Sequence, residues 1–375
     1  MHYRDVAGVK ASILGFGAMR LPLLPDGKTV DERETDRMIR RAVERGVNYI
    51  DTAVPYHDGQ SEAVLGRILS GQLREKVILA TKQPCWLVQK REDFDSLLED
   101  QLRKLKTDHL DFYLLHALFT DRWQGVRRLD VLDWLERKRE QGRIRHFGFS
   151  FHDNFEVFKG LLDEYGGWEM CQIQHNYMDK SFQAGTAGLT LAGQRKVPVV
   201  VMEPLRGGFL ASPPDQIGSI FREAGLDPVE SALRWLWARP EVSVVLSGMS
   251  TMAQLDSNID IAERIRPAGL SAAENEAISR ARAVYESLTP IPCTQCRYCM
   301  PCPSGVFIPD VIALYNKSVI FGSMETGKVQ YVFHTPDANK ASSCTACGSC
   351  EDACPQRIRI SEWMPKIHKA FMPGG

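Results

Sequence analysis

The sequence predicts a (β/α)8, or TIM, barrel followed by a smaller, mainly helical C-terminal domain. Eight short apolar strands alternate with amphipathic helices over about 260 residues. The total length of 375 residues accommodates a barrel of about 250 residues and a second, smaller unit. Eight of the ten cysteines lie between residues 293 and 354, so the tail has chemistry of its own. A doubly wound open sheet is the alternative, and it should carry a glycine-rich first turn.

Composition narrows the class of protein. The hydrophobic content of 44% and the charged content of 25% are ordinary for a globular protein. The formal charge of −1 gives no basic surplus for nucleic acid or an anionic membrane. No apolar run approaches the roughly 20 residues of a membrane helix, and the first five residues lack the apolar core of a signal peptide. We therefore expect a cytoplasmic protein with neither a nucleic-acid nor a membrane partner.

The first strand-like run, 13–21, contains Gly15 and Gly17. This glycine pair lacks the third glycine and the following helix of a dinucleotide fingerprint, which argues against that motif. A helix is expected over 31–46, with Asp31 as its N-cap and Gly46 at its end. Its apolar stripe has the helical period.

The same alternation continues along the chain. Further strands are predicted at 47–51, 77–81, 110–115, 145–150, 170–174, 197–202 and 242–246. Further helices are predicted at about 60–70, 94–105, 125–141, 154–164, 183–195, 227–238 and 251–265. These elements define a predicted barrel domain over residues 1–270.

Three consecutive predicted strands each end in a residue that can handle a proton. Asp51 and Tyr56 come just after the second strand, Lys82 after the third and His116 after the fourth. Each residue alone has an ordinary structural explanation. Their coincidence at the carboxyl ends of neighbouring strands, where a parallel barrel places its active site, favours a catalytic group.

The four residue types complement one another chemically. A tyrosine phenol has an ordinary pKa of about 10, and a nearby lysine ammonium stabilises its phenolate. An aspartate keeps the lysine charged and oriented, and a histidine can donate a hydrogen bond to a carbonyl oxygen. Together they predict an acid that protonates an oxygen while hydride reaches the adjacent carbon.

The segment Asp51-Thr52-Ala53 with Tyr56, followed by Lys82 and His116, resembles the catalytic tetrad of the aldo-keto reductases. The resemblance extends from residue 10 to about 265. It implies a barrel that binds NADPH or NADH and transfers hydride to a small-molecule aldehyde or ketone. Tyr56 would be the general acid, His116 would orient the carbonyl or share the proton, and Lys82 and Asp51 would tune Tyr56.

The same resemblance implies a set of nucleotide contacts. Ser150 and Gln172 fit the residues that bind the nicotinamide carboxamide, although Phe151 replaces the family's asparagine. Met202 takes the place of a stacking tyrosine and can contact the ring through its polarisable sulfur. The loop that follows would approach the pyrophosphate with Pro204, Leu205, Arg206 and Gly207.

The segment after the eighth strand resembles the family's adenosine site. Its expected contacts are Ser247, Gly248, Met249, Gln254 and Asn258. NADPH-specific members carry a lysine and an arginine where this chain has Gly248 and Gln254. A missing cation weakens the case for NADPH, although Arg222 or another loop residue could compensate. The choice between NADPH and NADH therefore stays open.

The tail contains two cysteine runs. The first consists of Cys293, Cys296, Cys299 and Cys302, and the second of Cys344, Cys347, Cys350 and Cys354. The second run matches the bacterial ferredoxin pattern, with proline after its last cysteine, and the first is one residue shorter. A pair of zinc sites is the alternative, but zinc sites usually use separate C-x-x-C pairs.

The ferredoxin pattern implies two [4Fe-4S] clusters with exchanged fourth ligands. One cluster would take Cys293, Cys296, Cys299 and Cys354, and the other Cys344, Cys347, Cys350 and Cys302. A helix starting near Pro309 separates the runs. We expect a helix and linker over 271–292 and a ferredoxin-like domain over 293–375. The isolated Cys85 and Cys171 are interpreted as core or pocket residues.

The two halves handle electrons differently. A nicotinamide transfers two electrons as hydride, an iron-sulfur cubane carries one at a time, and the sequence shows no recognisable flavin site. One hypothesis is a reductase whose clusters exchange electrons with a protein partner or the substrate. A second gives the clusters a structural or redox-sensing role. A third is an electron-transfer protein with little carbonyl reductase activity. The loops around Trp86 and 119–123 would line the substrate pocket.

Overall fold

The chain forms two compact units. The computed structural model describes residues 1–265, 269–293, 299–354 and 357–372. The first unit, called the barrel unit, comprises Met1–Gly208 and Val229–Leu270. The second, called the helical unit, comprises Phe209–Pro228 and Ser271–Gly375. The predicted domain division at 270 and 292 differs from this one, because a stretch between two barrel elements groups with the tail. The domain boundaries at 270 and 292 therefore remain a prediction.

The described residues contain ten strands, all in the barrel unit. They are β1 (Tyr3–Val6), β2 (Val9–Ser12), β3 (Leu14–Gly17), β4 (Tyr49–Asp51), β5 (Ile78–Gln83), β6 (Leu110–Leu118), β7 (Ile144–Phe151), β8 (Cys171–Gln174), β9 (Val199–Met202) and β10 (Val242–Ser247).

The helices of the barrel unit alternate with its strands. They are α1 (Glu32–Glu44), α2 (Gln60–Ile68), α3 (Gln72–Glu75), α4 (Glu92–Leu105), α5 (Thr120–Arg127), α6 (Val131–Glu140), α7 (Phe155–Glu164), α8 (Gly185–Gln194), α10 (Pro228–Trp237) and α11 (Met252–Arg264), while α9 (Asp215–Glu223) falls in the helical unit. In the described ranges, no helix is long and apolar enough to cross a membrane.

Strands β3 to β10 close into a parallel barrel in chain order, with β10 paired to both β3 and β9. All eight predicted barrel strands are therefore confirmed. The predicted cap of the first helix is confirmed as well, since the Asp31 side chain accepts a hydrogen bond from the Glu34 amide. Strands β4 and β5 are buried at every position, as expected where helices cover the outside and side chains fill the inside.

Side chains of alternate residues fill the barrel interior. The interior cluster includes Tyr49, Ala80, Leu114 and Val200 from four different strands, and Met170, which directly precedes β8. Because side chains on a strand alternate between two faces, the next inward position on each strand lies two residues further toward its carboxyl end. Those positions are Asp51, Lys82, His116, Gln172 and Met202. The strand period thus points five predicted site residues into the mouth of the barrel.

An antiparallel hairpin that the sequence did not predict, β1 with β2, covers the amino end of the barrel. Val6 and Ala11 from this hairpin belong to the interior cluster. Arg4 donates to the carbonyl of Val242, the first residue of β10. The hairpin therefore closes the end opposite the predicted site.

The predicted single helix over 125–141 is wrong. The chain forms α5 and α6 there, because Asp130 between them has a φ of 55° in the left-handed region, where no right-handed helix continues. The helix α9 was not predicted. It lies in the stretch Phe209–Pro228, which belongs to the helical unit.

The helical unit has no strand among its described residues, as predicted for the tail. Besides α9 its helices are α12 (Ala272–Leu288), α13 (Ile308–Ile320), α14 (Met324–His334), α15 (Ser349–Asp352) and α16 (Ile360–Phe371). Ser271 caps α12 in a capping box with Glu274. The core contains Ile312, Tyr331, Met364 and Phe371 at 0% exposure. Several cysteines pack against this core rather than inside it.

Candidate active site

Asp51 and Tyr56 both lie within hydrogen-bond distance of the Lys82 ammonium. Its Nζ lies 2.6 Å from Asp51 Oδ1 and 3.3 Å from the Tyr56 hydroxyl, and it also donates to the Thr52 carbonyl at 2.8 Å. The ring of His116 lies edge-on to that of Tyr56, with centroids 6.3 Å apart. An ammonium has three N–H donors, and these contacts use all of them.

Burial makes this arrangement strongly coupled. Lys82 is 1% exposed and Asp51 is 2% exposed. Burial alone would lower the pKa of Lys82, but the charges of Asp51 and Tyr56 outweigh it and raise that pKa. The lysine is therefore an ammonium at neutral pH, and Asp51 is its buried counterion.

Tyr56 and His116 are both held in their neutral forms. Burial raises the pKa of the Tyr56 phenol above its ordinary value, and the charge of Lys82 opposes this increase without reversing it. Lys82 therefore makes the phenol a stronger acid than burial alone would leave it. Burial, together with the charges of Lys82, His152 and Arg122, lowers the pKa of His116 well below its ordinary value.

The backbone is left-handed at the residue that follows each of three site residues. His57 follows Tyr56, Ala117 follows His116 and Glu203 follows Met202, with φ of 52°, 53° and 56°. Non-glycine residues rarely adopt this left-handed conformation, and surrounding structure must hold them there. The Ala117 amide, for example, donates to Ser150 Oγ at 2.7 Å.

A cavity of about 710 Å³ opens above the tetrad. Its size is within the range of small-molecule and cofactor sites. All four tetrad residues line it, and so do nine of the predicted nucleotide contacts, namely Ser150, Gln172, Met202, Pro204, Leu205, Gly207, Ser247, Gly248 and Gln254. The cavity runs from the tetrad to the start of α11, where Gln254 lies.

Gln172 carries an open acceptor at the tetrad end of this cavity. Its Nε2 donates to Asp51 Oδ2 at 3.3 Å, while its buried Oε1 has no hydrogen-bond partner among the described residues. A buried amide oxygen without a partner is costly, so a ligand N–H is the natural complement. A carboxamide NH₂ provides that donor.

Three predicted nucleotide contacts are not among the residues that line the cavity. Arg206 Nε lies 3.5 Å from Asp179. Met249 is buried at 1% exposure, and Asn258 donates to Ser247 Oγ at 3.0 Å. Asn258 therefore holds the hydroxyl of Ser247, a residue that lines the cavity.

Sequence reasoning missed Arg20, which lines the cavity beside Gly248. A Cβ at Gly248 would lie 3.0 Å from the Arg20 Cγ and Cδ, so the absence of a side chain there makes room for the arginine. Ser250 also donates to the Arg20 carbonyl. No local pattern relates Arg20 to a segment some 230 residues later. The proposed compensating residue Arg222 pairs instead with Asp215 in the helical unit.

The cysteines form the second candidate site, in the helical unit. Cys302, Cys344, Cys347 and Cys350 line one small cavity, although about forty residues separate the first from the others. Four thiols around one cavity are the donor set of an iron-sulfur cubane. Among the described residues, no three His, Cys, Asp or Glu side chains are grouped as ligands of a single metal ion.

The other predicted ligand set is only partly described. Cys293, Cys299 and Cys354 pack against the core of the helical unit, at its edge. Cys296 lies outside the described residues. The lone Cys85 and Cys171 are both buried in the barrel unit.

Comparison with known proteins matches two family profiles to two parts of the chain. A family profile described as "Aldo/keto reductase family" matches residues 13–283, and one described as "4Fe-4S dicluster domain" matches residues 292–358. Protein Tas of Escherichia coli is 27% identical over 326 residues, covering 69% of this chain and 92% of that protein. The methylglyoxal reductase YeaE of Escherichia coli is 28% identical over 248 residues, covering 63% and 82%.

Solved structures show the same fold. The holo form of an aldo-keto reductase from Bacillus halodurans is 25% identical and superimposes with a TM-score of 0.63. That similarity covers 75% of this chain and 96% of the other.

Proposed function

The chain belongs to the aldo/keto reductase family, and from that premise we propose that it reduces an aldehyde or ketone with a nicotinamide dinucleotide, with Tyr56 as the general acid. The observation that carries the proposal is the Lys82 ammonium, which lies within hydrogen-bond distance of both Asp51 and the Tyr56 hydroxyl. An acid of this kind is needed where hydride converts a carbonyl to an alkoxide.

The nucleotide fits the residues that line the barrel cavity. When bound, the reduced nicotinamide supplies the hydride. Gln172 Oε1 and the Ser150 hydroxyl would hold its carboxamide, and the loop from Glu203 to Gly208 would approach its phosphates. Support comes from the unpartnered buried Gln172 oxygen and from the shared cavity.

We further propose that the nucleotide is NADPH, with Arg20 as the cation for its 2′-phosphate. Arg20 has no ion pair within the described ranges and lines the same end of the cavity as Ser250 and Gln254. A guanidinium binds a phosphate with charge-assisted hydrogen bonds. This arrangement would replace the lysine and arginine of NADPH-specific relatives.

Each of the four tetrad side chains would have its own role in the reaction. The Tyr56 hydroxyl donates its proton to the carbonyl oxygen, and Lys82 stabilises the phenolate that forms. Asp51 keeps Lys82 charged and in place. Neutral His116, next to Tyr56, donates a hydrogen bond to the same carbonyl oxygen and fixes its orientation.

The helical unit would hold two [4Fe-4S] clusters that exchange electrons with a protein partner. The cavity formed by Cys302, Cys344, Cys347 and Cys350 supports one cluster, and the exposure of Cys347 supports access from outside. When bound, each cluster supplies one-electron chemistry. Its ligands would be the thiolates of these cysteines, of which Cys350 belongs to the core of the unit and Cys302 and Cys344 pack against it.

The substitution Tyr56→Phe tests the acid. The enzyme would be purified without oxygen, and NADPH oxidation would be followed with a series of aldehydes. Because the phenylalanine ring keeps the shape but has no proton to give, we expect kcat to fall by about 10²- to 10⁴-fold while NADPH binding is retained. The control is Tyr3→Phe, which removes the hydroxyl of a half-exposed tyrosine in the hairpin. An unchanged rate in Tyr56→Phe would refute the assignment.

The pH dependence of the same assay provides a second readout. Because burial raises the pKa of Tyr56 and lowers that of His116, both groups keep one protonation state across neutral pH. We expect kcat/KM for reduction to be flat between about pH 6 and pH 9 and to fall only above it. A fall centred near pH 6.5 would show that a histidine titrates in the working range.

A further inference from the structure

Arg122 lies at the rim of the barrel mouth beside the tetrad. It is in the first turn of α5, just after β6. Its guanidinium carbon is 5.2 Å from the ring centre of Trp86, and the Trp86 ring is 5.1 Å from that of His116. The Trp86 ring therefore contacts both the Arg122 guanidinium and the His116 ring.

The guanidinium has unused donors. Nη1 donates to the Ala117 carbonyl at 2.8 Å, which fixes the side chain to the residue next to His116. The described residues provide no ion pair and no further hydrogen bond for it. A guanidinium carries five N–H donors in a planar fork, so a face of this group remains for a ligand.

Two aromatic rings hold the cation in place. The guanidinium carbon is 4.4 Å from the ring centre of Phe119, on one side, and Trp86 provides the second contact. Such cation–π contacts orient an arginine without neutralising it. Burial lowers the pKa of Arg122 from its ordinary value. The Cys85 thiol opposes this decrease, and no carboxylate contributes to it. Partial burial strengthens the attraction for an anion.

The other cations beside the tetrad are paired or neutral, while Glu203 contributes a negative charge that acts on Tyr56 from the lining of the cavity. Lys82 is neutralised by Asp51. His116 and His152 are neutral, because burial and the nearby cations lower the pKa of both, to about 4 for His152. Within the part of the chain that the structure describes, the unpaired positive charge beside the tetrad is therefore that of Arg122, which suits a monoanion.

We propose that the substrate is a carbonyl compound that also carries a carboxylate, and that Arg122 binds this carboxylate while the carbonyl lies at Tyr56 and His116. The proposal rests on the proposed carbonyl reduction and names its substrate class. The planar fork of an arginine matches a carboxylate with two parallel hydrogen bonds. Trp86, which is 40% exposed, would contact the body of the substrate between its two polar ends.

A matched pair of aldehydes tests this assignment. 4-Carboxybenzaldehyde and methyl 4-formylbenzoate share the ring and the aldehyde and differ in one negative charge. With the full-length protein, its clusters and NADPH, we expect the ratio of kcat/KM, acid over ester, to exceed one by about 10- to 100-fold. In Arg122→Leu the ratio should collapse toward one through a higher KM for the acid, and Arg122→Lys should retain part of it.

The control is Arg128→Leu, which removes an exposed arginine of the same segment and should leave the ratio unchanged. A ratio that Arg122→Leu does not alter would overturn the proposal, even if both aldehydes are reduced. Reduction of neither aldehyde would instead count against the proposed function. In that case calorimetry of benzoate against benzamide, with NADP⁺ bound, decides the matter: equal binding of the two, or no loss of benzoate binding in Arg122→Leu, overturns it.

Discussion

At the scale of single residues, Lys82 has the most constrained position in the barrel unit. Its ammonium satisfies a carboxylate, a backbone carbonyl and a phenol at once, in a site that is almost fully buried. Removing either charge of the Lys82–Asp51 pair would leave the other buried and unpaired, which is strongly destabilising. Tyr56 is therefore the member of the tetrad whose substitution tests the chemistry without disturbing the charge balance.

Arg20 makes the nucleotide preference testable at the same scale. We expect Arg20→Leu to raise the KM for NADPH by about 10- to 100-fold, because charge-assisted bonds to the 2′-phosphate are lost. The KM for NADH, which lacks this phosphate, should change less than about twofold. Steady-state kinetics with both nucleotides measures the difference.

Arg222→Leu is the matched control, since Arg222 pairs with Asp215 and lies outside the barrel unit. Equal losses with NADPH and NADH in Arg20→Leu would mean that Arg20 does not contact the 2′-phosphate.

At the scale of elements, helix α2 connects the packing of the barrel unit to the tetrad. Glu62 on this helix accepts hydrogen bonds from Thr81 on β5 and from Gln101 on α4, each at 2.7 Å. Gln101 also donates to the Lys82 carbonyl at 3.0 Å. This buried network fixes β5 at the residue that carries the ammonium.

Gly66 allows α2 to approach α4 closely enough for this network. A Cβ at Gly66 would overlap the Lys104 carbonyl oxygen and lie 2.7 Å from the Leu105 Cα. Because backbone atoms cannot move aside cheaply, Gly66→Ala should destabilise the protein by about 1–3 kcal/mol. Thermal unfolding measures the loss as a lower midpoint.

The comparison is Gly160→Ala on α7, where a Cβ meets nothing within 4 Å. There the same substitution should stabilise the exposed helix by about 0.5–1 kcal/mol. Similar effects of the two substitutions would mean that helix propensity, and not the contact between α2 and α4, determines the outcome at Gly66.

At the scale of the whole molecule, each unit contains residues that the chain order separates. The helical unit includes the stretch Phe209–Pro228, which lies between β9 and α10 of the barrel. Within this unit, the tilted rings of Phe209 and Phe321 have centroids 4.4 Å apart. The chain therefore passes from one unit to the other at 208/209, at 228/229 and at 270/271.

The cysteine cavity of the helical unit also brings together residues that are distant in sequence, Cys302 and the run that starts at Cys344. If Cys302 is the fourth ligand of the cluster of Cys344, Cys347 and Cys350, then Cys302→Ser should remove one cluster and leave the other. We expect the iron content of anaerobically purified protein to fall from about eight to about four atoms per chain.

Cys171→Ser is the matched control, because this cysteine is buried on β8, far from both runs in sequence, and it should leave the iron content unchanged. Loss of all iron in Cys302→Ser, or of none, would contradict the proposed ligand set.

The sequence by itself determined the elements whose signals are local. Short apolar strands between amphipathic helices identify the barrel, because a strand or helix shows its buried face in the period of its own residues. The strand period also directs Asp51, Lys82 and His116 into one mouth. The spacing of the cysteines within each run is local in the same sense.

Only the tertiary structure decided what depends on contacts between distant segments. Arg20 lies beside Gly248, Arg122 contacts Trp86, and the stretch 209–228 groups with the tail. The hairpin that closes the barrel and the break at Asp130 were also missed, since short polar strands and a left-handed residue leave little periodic signal. The contacts of Arg20 with Gly248 and of Arg122 with Trp86 follow from tertiary packing, and no short window of sequence contains both partners.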